Sequence, residues 1–250
     1  MKKLNIIKSL SFSFTVLKKN SLVVLLPTLA VMIINITNYI IKQLYYPFAG
    51  SNILRIWKTV PLPDLILFEL LLPFVFIALT FIILIVFSKI SFQAYEKDKV
   101  SLKEIHLPNF PIILKYLLLV IVFTSLQFVG FLLLLIPGFI FSITYFWVFF
   151  IFIEENSTSI KELFGKSAVL SKDIRWSMFG YFFLMFIALQ GLGFSIKYLF
   201  SLFIQSGNPI VIQGIIMVIL TLIFTPIVAL SLTYLYKDLK DQQANNMQKV

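Results

Sequence analysis

The chain reads as an all-α polytopic membrane protein: a helical bundle of six transmembrane helices in three hairpins, with cytoplasmic amphipathic helices. Three observations lead there. Of 250 residues, 60% are hydrophobic and only 13% charged, with a mean hydropathy of +0.98, whereas a soluble domain carries roughly 25% charged residues to face water. The apolar residues gather into six runs that can cross a hydrocarbon core of about 30 Å as helices. Lysines crowd the segments between alternate runs, which sets an orientation. No stretch outside the runs is long enough to bury a core of its own, so residues 1–250 form a single membrane domain.

Residues 1–20 form an N-terminal amphipathic segment. Leu4, Ile7, Leu10, Phe14 and Leu17 recur at helical spacing while Asn5, Lys8, Ser11 and Lys18 take other faces, as in a helix lying in the membrane interface. Residues 10–16 also alternate with period two. The opening lysines resemble a signal peptide, but the apolar run begins roughly 20 residues in, exceeds the usual h-region of about 7 to 15, and lacks an Ala-x-Ala-like site. It is expected to stay as the first span.

Residues 21–153 hold helices one to four, at 21–41, 65–92, 112–135 and 139–153. The fourth is short, yet a loop in lipid would leave backbone groups unpaired at several kcal/mol each, so it is expected to be helical with little tilt. The outer loop, residues 42–64, carries Pro47, Gly50, Pro61 and Pro63. Ile136-Pro137-Gly138 is expected to be the turn between helices three and four, because proline cannot continue a helix and glycine permits reversal. Residues 154–175 form a cytoplasmic amphipathic helix, in which Ile160, Leu163, Phe164, Leu170 and Ile174 alternate with Lys161, Glu162, Lys166 and Lys172. Glu154-Glu155, with Asn156 and Ser157 behind, is expected to cap its N-terminus. Residues 176–237 supply helices five and six, at 176–202 and 210–236, around the turn signal Ser206-Gly207-Asn208-Pro209. Residues 238–250 are a cytoplasmic tail.

With the N-terminus inside, all basic residues but Lys42, Arg55, Lys58 and Lys197 fall on the cytoplasmic side, as the positive-inside rule requires. Both termini are therefore expected in the cytoplasm. The formal charge of +10 is explained by topology, without a nucleic acid. Lysine far outnumbers arginine, and Ile, Phe and Asn abound, which points to an AT-rich bacterial genome and the bacterial cytoplasmic membrane. The entry segments also align with each other: Val16-Leu17-Lys18-Lys19-Asn20 matches Val169-Leu170-Ser171-Lys172-Asp173, with a poorer middle copy at Ser101-Leu102-Lys103-Glu104. An internal repeat and chance similarity between apolar segments both fit this alignment.

Chemistry-bearing residues are sparse. Cysteine is absent, and the single histidine, His106, has only Glu104, Glu96 and Asp98 nearby in sequence, without metal-ligand spacing. No catalytic, cofactor-binding or metal site is expected. Intramembrane charge is the remaining signal, since each such charge costs roughly 2.5 to 3.5 kcal/mol at the bilayer centre. Glu69 and Lys197 lie near the outer ends of their helices and form a candidate polar site, either as a pair lining an outward cavity or as snorkelling groups at wet helix ends. Asn35, Asn38, Gln127, Gln190 and Gln213 read as interhelical hydrogen-bonding groups or a transport path.

One block supports a family. Leu135-Ile136-Pro137-Gly138, the aromatics Tyr145-Phe146-Trp147, Glu154-Glu155, then Lys166-Ser167, Leu170, Lys172, Trp176 and Phe179-Gly180 resemble the YciC-like bacterial membrane proteins. They also resemble the membrane domain attached to some glycerophosphodiester phosphodiesterases. The resemblance implies a multi-span inner-membrane protein, with Pro137, Gly138, Glu154, Ser167 and Trp176 as structural motif residues. The family's usual alanine is not evident before Lys166-Ser167, where Leu163-Phe164-Gly165 stands. A phosphodiesterase activity does not follow, because that soluble barrel needs several histidines and room this chain lacks.

The function expected is therefore a non-enzymatic accessory or scaffold protein, partnered by the lipid bilayer and an unidentified membrane or cytoplasmic protein. The alternative is a transporter or permease subunit working with an ATPase. A lipid-modifying enzyme ranks third.

Overall fold

The computed structural model describes residues 4–45, 72–97, 100, 109–133, 135–155, 159–203 and 209–247. Among them every element is a helix: α1 (Ile6–Lys19), α2 (Ser21–Tyr45), α3 (Leu72–Glu96), α4 (Phe110–Leu133), α5 (Leu135–Tyr145), α6 (Val148–Glu155), α7 (Ile160–Ser171), α8 (Arg175–Phe203) and α9 (Pro209–Met247). Four stretches are long and apolar enough to cross a membrane: Phe110–Leu132, Ile136–Glu155, Arg175–Phe200 and Gly214–Asn245. The bent pair α1–α2 makes a fifth if it counts as one span. In sequence-adjacent pairs, α2 packs on α3, α4 on α5 and α8 on α9.

The α4–α5 pair is an antiparallel hairpin. Gln127 Nε2 donates to Ser142 Oγ at 2.9 Å, and rings pair as Phe123 with Phe149 (5.0 Å) and Tyr116 with Phe152 (5.6 Å). Gln127 with Ser142, and Tyr116 with Phe152 in the following α6, lie nearly equidistant from position 134. Ile136-Pro137-Gly138 is not the turn: α4 ends at Leu133 and α5 begins at Leu135. Pro137 falls in the first helical turn, where a missing N–H loses nothing and its fixed φ is already helical. Gly138 serves close approach instead. A Cβ there would meet the Phe131 ring at 2.5 Å, and one on Gly130 would lie 3.1 Å from the Gly138 Cα.

The fourth expected span is helical, within the 20-residue stretch Ile136–Glu155, but it is interrupted. It breaks at Phe146–Trp147 into α5 and α6. The last carbonyls of any helix lack intrahelical partners, and in a membrane water cannot supply them. Here α7 supplies them. Ser167 Oγ donates to the Thr144 carbonyl at 3.0 Å, and Ser171 Oγ donates to the same carbonyl at 2.8 Å and to that of Ile143 at 3.5 Å. The amphipathic helix is thus fastened by two serines one turn apart.

Helix α9 runs for 39 residues, about 58 Å at 1.5 Å per residue, so the expected tail from residue 238 is helical as far as Met247. Hydropathy places the end of the run near Tyr236, but the Leu, Lys, Gln and Ala that follow are good helix formers and continue the rod into polar surroundings. This helix reaches both apolar clusters of the protein. Leu235, Tyr236 and Leu239 join the larger one with Trp147, Met178 and Tyr181; Leu230 joins the smaller one with Val16, Val24, Phe87 and Ile90.

At the N-terminus, α1 and the first part of α2 meet at 102°. Asn20 is the joint: its N–H donates to the Val16 carbonyl, its own carbonyl accepts from Val24, and its Oδ1 accepts from the buried Val100 N–H at 3.1 Å. The α1–α2 and α7–α8 units share one burial register. Ser9, Ser13, Val16, Asn20 and Val24 are buried with the same spacing as Leu163, Ser167, Leu170, Ile174 and Met178. Exposed Leu22, Leu25, Leu29 and Ile33 correspond to exposed Trp176, Phe179, Phe183 and Ile187. This register is one residue longer than the alignment of Val16 with Val169 suggests. Serine again fastens the first unit, with Ser13 Oγ donating to the Ile227 carbonyl of α9 at 3.2 Å.

Gly138→Ala is expected to lower the melting temperature in detergent through overpacking against Phe131, by about 1–3 kcal/mol. Gly165→Ala, where an added Cβ meets nothing within 4 Å, is expected to stabilise helix α7 by roughly 0.5–1 kcal/mol. Equal effects from the two would show that Gly138 is not a packing site.

Candidate functional site

Helices α3, α6 and α9 run parallel and converge. Each contributes one ring to a mutual contact: Phe92 and Phe150 lie 6.4 Å apart, Phe92 and Tyr236 5.9 Å, and Phe150 and Tyr236 are stacked at 5.5 Å. Trp147, fully buried, adds a contact with Tyr236 at 5.9 Å. One turn beyond each ring comes a charge: Glu96 after Phe92, Glu154 after Phe150 and Lys240 after Tyr236. Residues four apart lie on one helix face, so the three charges are brought together by the same convergence as the rings.

Glu154 is the centre of this layer. Its Oε2 accepts from Tyr236 Oη at 2.6 Å and from Lys240 Nζ at 2.6 Å, and its Oε1 accepts from Lys237 Nζ at 3.0 Å. Lys237, whose side chain is only 12% exposed, also donates to Glu96 at 2.9 Å and sits 4.8 Å above the Phe92 ring. Charge-assisted bonds of this kind are about twice as strong as neutral ones. Alongside, Tyr95 donates to Asp241 at 2.9 Å and its ring meets those of Phe12 and Tyr234. That contact ties α1 to the same end.

A second ion-pair group flanks the first. Lys166 of α7 reaches Glu155 at 2.6 Å and Glu162 at 2.9 Å, and hydrogen bonds to these carboxylates, Glu155 first, hold its ammonium above the ordinary lysine value. The Glu154-Glu155 pair therefore does not cap α7. Ser159 does, its Oγ accepting from the Glu162 N–H at 3.3 Å. A carboxylate with lysines within reach takes charged partners in preference to a cap several residues away.

Chemically the layer is a set of satisfied charges. Both Glu154 oxygens are engaged, Oε2 by Tyr236 and Lys240 and Oε1 by Lys237. Among the described residues, no group of three His, Cys, Asp or Glu side chains could hold a metal ion. Among the described residues, four buried side-chain polar atoms have no hydrogen-bond partner: Ser91 Oγ, Gln93 Oε1, Thr144 Oγ1 and Trp147 Nε1.

Of the residues singled out from the sequence, Pro137 lies exposed and Gly138 buried in the first turn of α5. Glu154 is half-buried at the centre of the charge layer, Ser167 is buried on the Thr144 carbonyl, and Trp176 is exposed at the start of α8. Lys197 is exposed on α8; Glu69, and with it the proposed pair, lies outside the described residues, as does His106. Gln127 bonds within its hairpin and Gln190 is exposed. The signal for Glu96, Tyr236, Lys237 and Lys240 was a recurrence: an aromatic followed one turn later by a charge, at the end of three apolar runs.

No family model matches the chain, and neither a curated protein nor a solved structure matches it.

Replacing both Ser167 and Ser171 by alanine is expected to destabilise the docking of α7 by about 1 kcal/mol per lost bond. Hydrogen–deuterium exchange should then quicken across residues 160–171 before any other helix. Unchanged exchange there would mean that apolar contacts alone hold the helix.

Proposed function

We propose that the chain is a six-span, three-hairpin protein of the bacterial cytoplasmic membrane, with both termini in the cytoplasm. It acts as a non-enzymatic accessory or scaffold protein. The observation that carries this reading is the cross-tied charge layer, in which Glu154 fastens α6 to α9 while Lys237 joins α9 to α3. Such a layer holds one end of the bundle in a fixed shape and leaves its ionisable groups engaged with one another. The neighbouring α1 and α7 then form a firm ledge for a protein or lipid partner. The positive-inside distribution of lysine supports placing this end in the cytoplasm, and the resemblance to the YciC-like proteins supports a multi-span inner-membrane assignment.

A transporter or permease subunit is the second reading. Its support is the meeting of three parallel helices at one aromatic and charged layer, the arrangement a gate on a path between them would have. A lipid-modifying enzyme has less behind it, since Glu154 carries three hydrogen bonds already.

The native chain has no cysteine, so single substitutions report topology without background. In intact cells, Lys3→Cys and Lys249→Cys should resist a membrane-impermeant maleimide while Ser51→Cys is labelled; the reverse pattern would overturn the orientation. For the role, affinity capture from native membranes should recover a reproducible protein or lipid partner. Recovery of none, together with flux of a solute or lipid through the protein in proteoliposomes, would replace the scaffold reading with the transporter.

A further inference from the structure

Two junctions, the 102° α1–α2 elbow and the α7–α8 turn at residues 172–174, here the second elbow, place buried and exposed residues in the same register. Lys18 and Lys172 occupy equivalent exposed positions just before the bend, and Arg175 follows at the second. Directly beyond come Leu22, 80% exposed, and its equivalent Trp176, 85% exposed. From there each span carries an exposed apolar stripe, Leu25 and Leu29 on α2 and Phe179 and Phe183 on α8. A basic group at the bend with an apolar stripe leading away from it has the two-part chemistry of a phospholipid.

We propose that each elbow is a binding site for an anionic phospholipid. The headgroup phosphate is held by Lys18 at the first elbow and by Lys172 with Arg175 at the second, and an acyl chain lies along each stripe. The assignment rests on the membrane reading above. Charge selects an anionic headgroup: the described part of the first elbow, residues 4–37, carries Lys8, Lys18 and Lys19 and no carboxylate. At the second, Lys161, Lys172 and Arg175 face Asp173 and Glu162, and Glu162 is paired with Lys166. Each basic group near an anionic surface raises affinity by about fivefold. A soluble polyanion would use the lysines and leave the stripes bare, whereas a lipid uses both. Trp176 stands at the level that indole rings favour in membranes, beside the headgroups.

Trp176 gives the test its reporter. The full chain is reconstituted with brominated phosphatidylglycerol or brominated phosphatidylcholine, and tryptophan fluorescence is compared with that of Trp176→Phe. The anionic lipid is expected to quench the Trp176 signal at about 25-fold lower mole fraction, about fivefold for each of the two basic groups, and the difference should vanish in Lys172→Gln/Arg175→Gln. Leu22→Trp in the Trp176→Phe background reports the first elbow, where Lys18→Gln should abolish the preference. Identical quenching curves for the two lipids at both elbows would overturn the proposal. No quenching of Trp176 by either lipid would instead remove the membrane placement on which it rests.

Discussion

Glu154 has to leave an apolar run with a charge that the membrane does not tolerate alone, and the lower part of the bundle is organised around how it is answered. Lys237 and Lys240 come from α9, Tyr236 adds a hydroxyl from the same helix, and Glu96 of α3 balances the lysine that Glu154 shares. Removing one member of a partly buried ion pair leaves the other uncompensated, so Lys237 and Glu154, the least exposed of these charges, depend on each other more than the open Glu96 and Lys240 do. The rings of Phe92, Phe150 and Tyr236 meet one turn deeper, on the same faces. Aromatic packing and ion pairing thus specify the same relative placement of three helices.

The second constraint is the carbonyl inventory of a broken helix. Beyond the break at Phe146–Trp147, α6 buries Val148, Phe150, Ile151, Phe152 and Ile153. The break also exposes backbone acceptors that lipid cannot satisfy. Ser167 and Ser171 meet that need from α7, which packs against α5 and α6. At the first elbow a serine hydroxyl also reaches a carbonyl of another helix, Ser13 Oγ lying 2.9 Å from the Ser9 carbonyl of its own helix and 3.2 Å from that of Ile227 within α9. Two helices of modest apolar content are held by hydroxyl-to-carbonyl bonds that a hydropathy profile does not register.

This explains what could be read from the residues and what could not. The helical class, the amphipathic segments before the α2 and α8 runs, and the α4 span followed from composition and periodicity, because apolar length and 3.6-residue spacing are local properties. The Ile136-Pro137-Gly138 turn failed because proline is equally at home in the first turn of a helix, and Gly138 answers to the Phe131 ring across the hairpin. The break at Trp147 was hidden inside an unbroken apolar run, since its compensation comes from serines in the second half of another helix. The burial register of the two elbows needed three-dimensional exposure to fix it to the residue. Glu154 was picked out by its motif, but its partners sit on helices far away in sequence, and only the recurrent aromatic-then-charge spacing pointed toward them.

The central claim is that Glu154 and Lys240 are coupled across the α6–α9 contact. A double-mutant cycle with Glu154→Gln and Lys240→Gln, read by thermal or denaturant unfolding of the purified full chain in detergent, tests it directly. The account predicts a coupling energy of about 1 kcal/mol or more between the two substitutions. Effects that add to within about 0.5 kcal/mol would contradict it and reduce the charge layer to a wet helix end.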